Sequence, residues 1–380
     1  MGVAALLALL LVCLQPHSHR FFTDGLVQIR HSVVGVAIVV LFASWLVSSL
    51  DSLSVEKSLG TWFRLIGILA LLFYFYRMFV AHPDSAERFK KASLVLSVAV
   101  LLYIALVLMG WNALFAPIQA LKDHPLSTHG FFKSHASTSV VVLPFLIWAG
   151  WTLGGVWRWM AGAAIVLTGV LVYGGGIEIS KAGLAGVVGA VCAIGFTLAV
   201  GTMKRSVSYI FWIAAAAAGV AIAWYVVSHL PVPPFADQMP DLVPFVDSHR
   251  ELIWGFVLDA HKAVPYFGYG LNTVNTVPGA STVIEALNQE YIPSHPHNWM
   301  IEVLAETGWT GYILLLTCIA LHLRQVVRAL YYNRPAALAL VACSGAYWVS
   351  GLVNFSFWTS WWQVAYLLAL IVPFAALSRR

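Results

Sequence analysis

The sequence predicts an all-α fold: a polytopic membrane protein with about eleven or twelve spanning helices and one large hydrophilic segment between its late spans. Two observations carry this. Of 380 residues, 60% are apolar and only 10% charged, against about 25% charged in a soluble domain. The apolar residues also lie in continuous runs such as 33–50 and 94–110. A transmembrane barrel would instead show short segments of alternating polarity. Hydrocarbon offers the backbone no hydrogen bonds, so runs of this length must satisfy their own as helices.

The candidate spans are residues 3–14, 31–50, 61–80, 92–112, 134–150, 156–173, 182–200, 209–229, 298–323, 336–352 and 355–377. They divide the chain into N-terminal spans (1–230), a hydrophilic segment with short helices (231–297) and C-terminal spans (298–380). The first run lacks a basic stretch before it and a small-residue cleavage site after it, so it reads as a span and not as a removed signal peptide. Eleven spans would put the N-terminus outside, and a twelfth would bring it in.

Lys and Arg in short loops set the orientation. Arg20 with Arg30, Arg88 with Lys90 and Lys91, Arg158, Lys204 with Arg205, the group Arg324, Arg328 and Arg334, and Arg379 with Arg380 mark one side, read as cytoplasmic. Residues 51–60, 115–133, 174–181 and 230–296 then face the periplasm or the cell exterior. The net charge of +5 is distributed for topology, with no basic face of the kind that binds nucleic acid. Cys13, Cys192, Cys318 and Cys343 each lie within an apolar run and form no C-x-x-C pair, so no disulfide framework or thiolate metal site is expected.

The outer segment has its own organisation. Pro231, Pro233, Pro234, Pro240 and Pro244 make an irregular start. Ser248-His-Arg-Glu251 has the capping-box pattern and predicts a short helix to about Lys262. Gly268, Gly270, Pro278 and Gly279 then punctuate a loop, and Pro293 and Pro296 precede the next span.

Chemistry concentrates in Ser294-His-Pro-His-Asn-Trp-Met-Ile-Glu-Val-Leu-Ala-Glu-Thr-Gly308. Pro296 suits the first position of a helix, which places His297 and Asn298 in the first turn. The positive end of the helix would disfavour imidazolium there and leave His297 neutral, as a general base must be. The bland alternative is an interfacial histidine wetted by headgroups. Glu302 and Glu306, four apart, share a face and suggest a polar cavity. His295 with His297 as a metal pair is the weaker reading, because no matching ligands lie nearby; no metal or other cofactor is expected.

Outward-side cations form a second feature. Lys181 and Lys133 each stand just before a span, and Arg250 opens the outer helix. Such groups suit an anionic ligand, above all phosphate oxygens, with helix N-termini adding N–H donors. Snorkelling to lipid headgroups is the alternative. Asp51 and Glu56 in the first outer loop are a third candidate, although loops are normally polar. Trp254, Tyr266, Tyr269, Tyr291 and Trp299, among 16 Trp, 14 Tyr and 21 Phe, could stack on sugar rings.

Three blocks resemble the O-antigen ligase and polymerase superfamily of bacterial envelope proteins. They are Ser180-Lys181 before a span; Arg250, Trp254 and Gly268-Tyr-Gly270; and His297-Asn298 followed by Glu306, Gly308 and Gly311. A large outer segment before the last three spans matches as well, and the resemblance covers roughly residues 120–377. It implies a metal-independent, inverting, GT-C-like glycosyltransferase. Such an enzyme moves a glycan from undecaprenyl pyrophosphate to lipid A–core at the periplasmic face. His297 resembles the catalytic base, and Arg250 and Lys181 the cations on the pyrophosphate, with Lys133, Asn298, His295 and Trp254 as further substrate-binding residues. Lysine at 181 stands where the family has arginine, which keeps the charge and gives up the bidentate fork. A polymerase joining two lipid-linked glycans and a flippase of lipid-linked sugars are the competing readings. A transporter would place polar groups at mid-membrane, whereas here the ionisable residues gather at the outer surface.

Overall fold

The computed structural model describes residues 30–121, 128–173, 180–203, 205–231, 248–285 and 287–378, together with Thr23 and Val27. The run 3–14 lies outside the described residues. Among these residues ten helices are long and apolar enough to cross a membrane, and the chain is an all-α multi-pass membrane protein. In order they are α1 (Val33–Leu50), α2 (Val55–Ala81), α3 (Pro83–Leu108), α4 (Thr128–Leu153), α5 (Val156–Tyr173), α6 (Lys181–Thr202) and α7 (Arg205–His229). After the shorter α8 (Ser248–His261) come α9 (Trp299–Ala329), α10 (Arg334–Ser350) and α11 (Ser360–Ser378). The chain forms two compact units that do not follow chain order. One takes Met1–Leu71, Leu198–Gln325 and Gly351–Ser360; the other takes Leu72–Thr197, Val326–Ser350 and Trp361–Arg380.

In the second unit α3, α4 and α5 pack on one another, and α4 packs on α10. The rings of Tyr347 and Tyr366 stack at 4.0 Å, and the Tyr366 and Ser344 hydroxyls pair at 3.0 Å. Ser180 caps α6 through its Oγ, which accepts from Gly183 N at 3.1 Å.

The first unit holds the outer segment. The helix expected from Ser248-His-Arg-Glu251 begins at Ser248 and ends one residue short of Lys262. Its Ile253, Trp254 and Val257 enter a core with Leu230, Val274, Val277, Ala280, Ile292, Ile301 and Ala305. A two-stranded hairpin, β1 (Val283–Ile284) against β2 (Gln289–Glu290), is fastened to α8 by His249 Nε2, which donates to the Glu290 carbonyl at 2.8 Å. Phe256 stacks on Tyr291 beside it.

Two departures from the sequence expectation shape this unit. The last span starts at Ser360 and not at Phe355, because residues 351–359 form a 3-10 turn and an irregular crossing segment. Helix α9 is broken at Gly308, whose φ of 62° and ψ of −175° interrupt the helical path. A break frees N–H and C=O groups that a membrane helix cannot leave unpaired. The loop 264–270 takes them. Tyr269 N and Gly270 N donate to the Ala305 and Glu306 carbonyls, and Trp309 N and Thr310 N donate to the Pro265 and Tyr266 carbonyls. Ser48 Oγ adds a donor to the Glu306 carbonyl at 2.7 Å. The approach requires glycine on both sides. A Cβ on Gly268 would sit 2.4 Å from the Glu306 backbone carbon, and one on Gly308 2.2 Å from that of Tyr266.

Candidate active site

The site is assembled from α8, the loop 293–298, the start of α9 and the crossing segment. Arg250 and Trp254 stand four apart on α8 and so share a face. Trp254 Nε1 donates to the Pro296 carbonyl at 2.8 Å, and Arg250 Nη1 donates to the Val353 carbonyl at 2.9 Å. One face of α8 thus fastens both the loop that carries His297 and the segment opposite it.

His297 does not lie in the first turn of α9, as its spacing after Pro296 suggested. The helix starts at Trp299, and Asn298 is its cap. The Asn298 carbonyl accepts from Glu302 N at 3.0 Å, and its Oδ1 accepts from Met300 N at 3.0 Å. Asparagine is among the strongest N-caps because its short side chain satisfies an orphan N–H of the first turn. His297 precedes the cap with φ of 56°, a left-handed conformation uncommon outside glycine and a mark of a constrained position. Its Nδ1 lies 3.1 Å from the Asn354 carbonyl oxygen. The half-buried His295 ring is close by, with centroids 4.1 Å apart, and no group of three His, Cys, Asp or Glu able to hold a metal occurs among the described residues.

Glu302 and Glu306 correct the expectation of a polar cavity. Both are about 1% exposed, and both serve as anchors. Glu302 accepts the Ser356 hydroxyl on Oε1 and the Phe357 N–H on Oε2, each at 2.6 Å. Glu306 accepts Asn272 N at 2.7 Å, Val274 N at 2.8 Å and Trp358 Nε1. Buried carboxylates are retained only where donors replace their water. Here the donors tie the 270s loop and the crossing segment to α9. Arg64 Nη2, donating to the Trp358 carbonyl at 3.0 Å, and the edge-to-face packing of Trp45 on Trp358 complete the attachment.

Burial pushes the His295 imidazole down to about 4; the positive charge of Arg250 adds to the shift and the Asn354 carbonyl opposes it. An unfolded histidine titrates near 6.5, so between pH 6.5 and about 4 the unfolded chain binds the proton that the folded site refuses. Stability is therefore full above pH 6.5 and falls as the pH drops through that window, by on the order of 3 kcal/mol. Thermal melting of the detergent-solubilised protein from pH 7 to pH 4 should show this decline. His295→Phe should flatten it; an unchanged slope in that variant would remove His295 as its source.

Arg250, Trp254, His295, His297 and Asn298 therefore converge within one unit. Trp254 is 4% exposed with its indole engaged, so it holds the loop and has no open face for a sugar. Lys181 belongs to the second unit, where it opens α6 and is exposed. Lys133 falls within the second turn of α4, which begins at Thr128, and not ahead of a helix; its side chain lies outside the described residues. Asp51 caps the C-terminus of α1, and Glu56 sits in the first turn of α2, where a negative charge complements the helix dipole. The residues that reading by motif passed over are Val353, Asn354 and Ser356. The signal available was a polar pair, Asn354 ahead of the aromatic run Phe355 to Trp358 and Ser356 within it.

Residues 178–316 match the family model described as O-antigen ligase. The chain is 28% identical over 128 residues to a Rickettsia conorii protein named as a candidate polysaccharide ligase, covering 33% of this chain and 31% of that one. Proteins with the same kind of name from Rickettsia felis and Rickettsia prowazekii match over the same length and the same shares at 27% and 26%. The match thus spans about a third of the length of these curated relatives. The family match contains Arg250, His297, Glu302 and Gly308 and ends before the crossing segment.

Proposed function

From the match of residues 178–316 to the O-antigen ligase family model, we propose that the chain is a member of that superfamily and transfers a glycan from undecaprenyl pyrophosphate to a hydroxyl of lipid A–core. The reaction would take place at the periplasmic face of a bacterial inner membrane, with His297 as general base. One observation carries this reading: the contact of His297 Nδ1 with the Asn354 carbonyl. A carbonyl only accepts, so Nδ1 bears the hydrogen, and in the neutral ring the basic lone pair is on Nε2. That is the tautomer and the orienting bond that a histidine base requires.

The step balances as follows. Nε2 takes the proton of the acceptor hydroxyl while its oxygen forms a bond to the anomeric carbon. The bond from that carbon to the pyrophosphate oxygen breaks, and the pyrophosphate departs with the electron pair. Attack opposite the leaving group inverts the anomeric configuration. Negative charge grows on the pyrophosphate, and Arg250, fixed on one arm by Val353, is the cation assigned to it; a preorganised charge stabilises the transition state without reorganisation. Contributions of Lys181 and Lys133 to donor binding would be read as a rise in donor KM on neutralisation.

The purified protein, supplied with undecaprenyl-pyrophosphate glycan and lipid A–core, is expected to form glycosylated lipid A–core, with and without a divalent-metal chelator. Products formed only between two lipid-linked glycans would overturn the ligase reading in favour of a polymerase. Strict metal dependence would overturn the assignment of the charge to Arg250.

A further inference from the structure

We propose that Glu302 is a positioning residue for His297, acting through the crossing segment; the proposal rests on the base role assigned above. The connections form a closed ring. His297 is joined by one peptide bond to Asn298, the cap of α9. One turn into α9, Glu302 holds Ser356 and Phe357. Two residues before Ser356, the Asn354 carbonyl takes the hydrogen on His297 Nδ1. The base and the group that orients it are therefore referenced to the same turn of one helix. The adjacent carbonyl, Val353, takes Arg250, so the same carboxylate also fixes the partner of the cation.

The choice of residue fits the task. The segment 354–358, between the 3-10 turn and α11, belongs to neither a helix nor a strand. It presents two donors to Glu302, a hydroxyl and an N–H, both buried, beside the Trp358 indole on Glu306. A carboxyl group has two oxygens, and each takes one of the two donors. Were the segment to shift by about 1 Å, the His297 ring would lose its tautomer-setting bond and its aim, and misplacement of that size costs on the order of a hundredfold in rate. The role resembles that of a carboxylate that orients a catalytic histidine directly, with a peptide carbonyl interposed.

Three variants test this: Glu302→Leu, which removes both acceptor oxygens; Glu302→Gln, which keeps one acceptor oxygen and an amide able to donate to Ser356; and Ser356→Ala, which removes the hydroxyl that donates to Glu302 and accepts from Trp358 N. Glu302→Leu is expected to lower kcat about ten- to hundredfold, with donor KM within about twofold of wild type. Glu302→Gln should recover most of that loss, and Ser356→Ala should fall between. The decisive readout is independent of activity: 15N resonances of the histidine rings, with His297 identified by its absence in His297→Ala. The wild type should show Nδ1 protonated, whereas Glu302→Leu and Ser356→Ala should show a mixture of tautomers. An unaltered His297 tautomer in both variants would overturn the proposal, whatever their rates; if Glu302→Leu fails to fold, Ser356→Ala decides alone. A His297→Ala protein with full activity would overturn the base reading, and a tautomer shift in the Glu302 and Ser356 variants would still uphold the positioning.

Discussion

Replacement of His297 by alanine is expected to lower glycan transfer by about a hundred- to ten-thousandfold, the range a positioned general base contributes, with little change in protein level or melting temperature. The structural grounds for an intact fold are specific. The loop is held by Trp254 Nε1 on the Pro296 carbonyl and by the Asn298 cap, and neither bond uses the His297 side chain. The left-handed backbone at 297 is already strained for a non-glycine residue, and alanine leaves that strain roughly where it was. Initial rates at saturating acceptor, normalised to the monodisperse protein, check the expectation. A rate within about threefold of wild type would remove the base role, since the weakest general-base contributions exceed that.

The second large effect concerns folding. Gly308→Ala is expected to destroy the folded protein. The added Cβ would meet the Tyr266 backbone at 2.2 Å, and the φ, ψ pair of 62° and −175° belongs to a region essentially reserved for glycine. Strain and overpacking together cost about 2–6 kcal/mol, a large share of a total stability of about 5–15 kcal/mol. The loop 264–270 must also separate from α9, which orphans backbone groups on both sides of the break. Size-exclusion chromatography and thermal melting in detergent should show loss of the folded peak. Gly219→Ala is the control: it sits in α7 with nothing within 4 Å of its added Cβ, and it should melt at or above the wild-type temperature because alanine is the better helix former. Equal melting of the two variants would mean that the break is not held as described.

The contrast between what could and could not be read from sequence follows from the range of the forces involved. The spans were legible because hydrocarbon imposes a local rule, a continuous apolar run, and ten of the expected runs are helices in the structure. Helix α8 was legible from its first four residues and from the glycines beyond its end. The start of α9 was not. Pro296 and Asn298 carry competing start signals two residues apart; Asn298 is the cap, and the Pro296 carbonyl is taken by Trp254, 42 residues away in sequence. Glu302 and Glu306 were correctly placed on one face and misread as lining a cavity, since the donors that bury them come from residues 272–274 and 356–358. The partners of Arg250 and His297 were invisible for a simpler reason: they are main-chain carbonyls, and every residue has one. The apolar character of residues 355–359 concealed the crossing segment inside what reads as a single span.

The crossing segment also gives the protein a timetable. Arg250 finds its carbonyl partner 103 residues further along the chain, and His297 finds its own 57 residues further. A ribosome delivers Arg250 and His297 first and the carbonyls that hold them last, after α10 has been made. Until then the nascent chain can be inserted in the membrane and still hold His297 without its orienting carbonyl. A chain that stopped at the end of α10 would carry every residue of the sequence motifs and lack the carbonyls that hold Arg250 and His297.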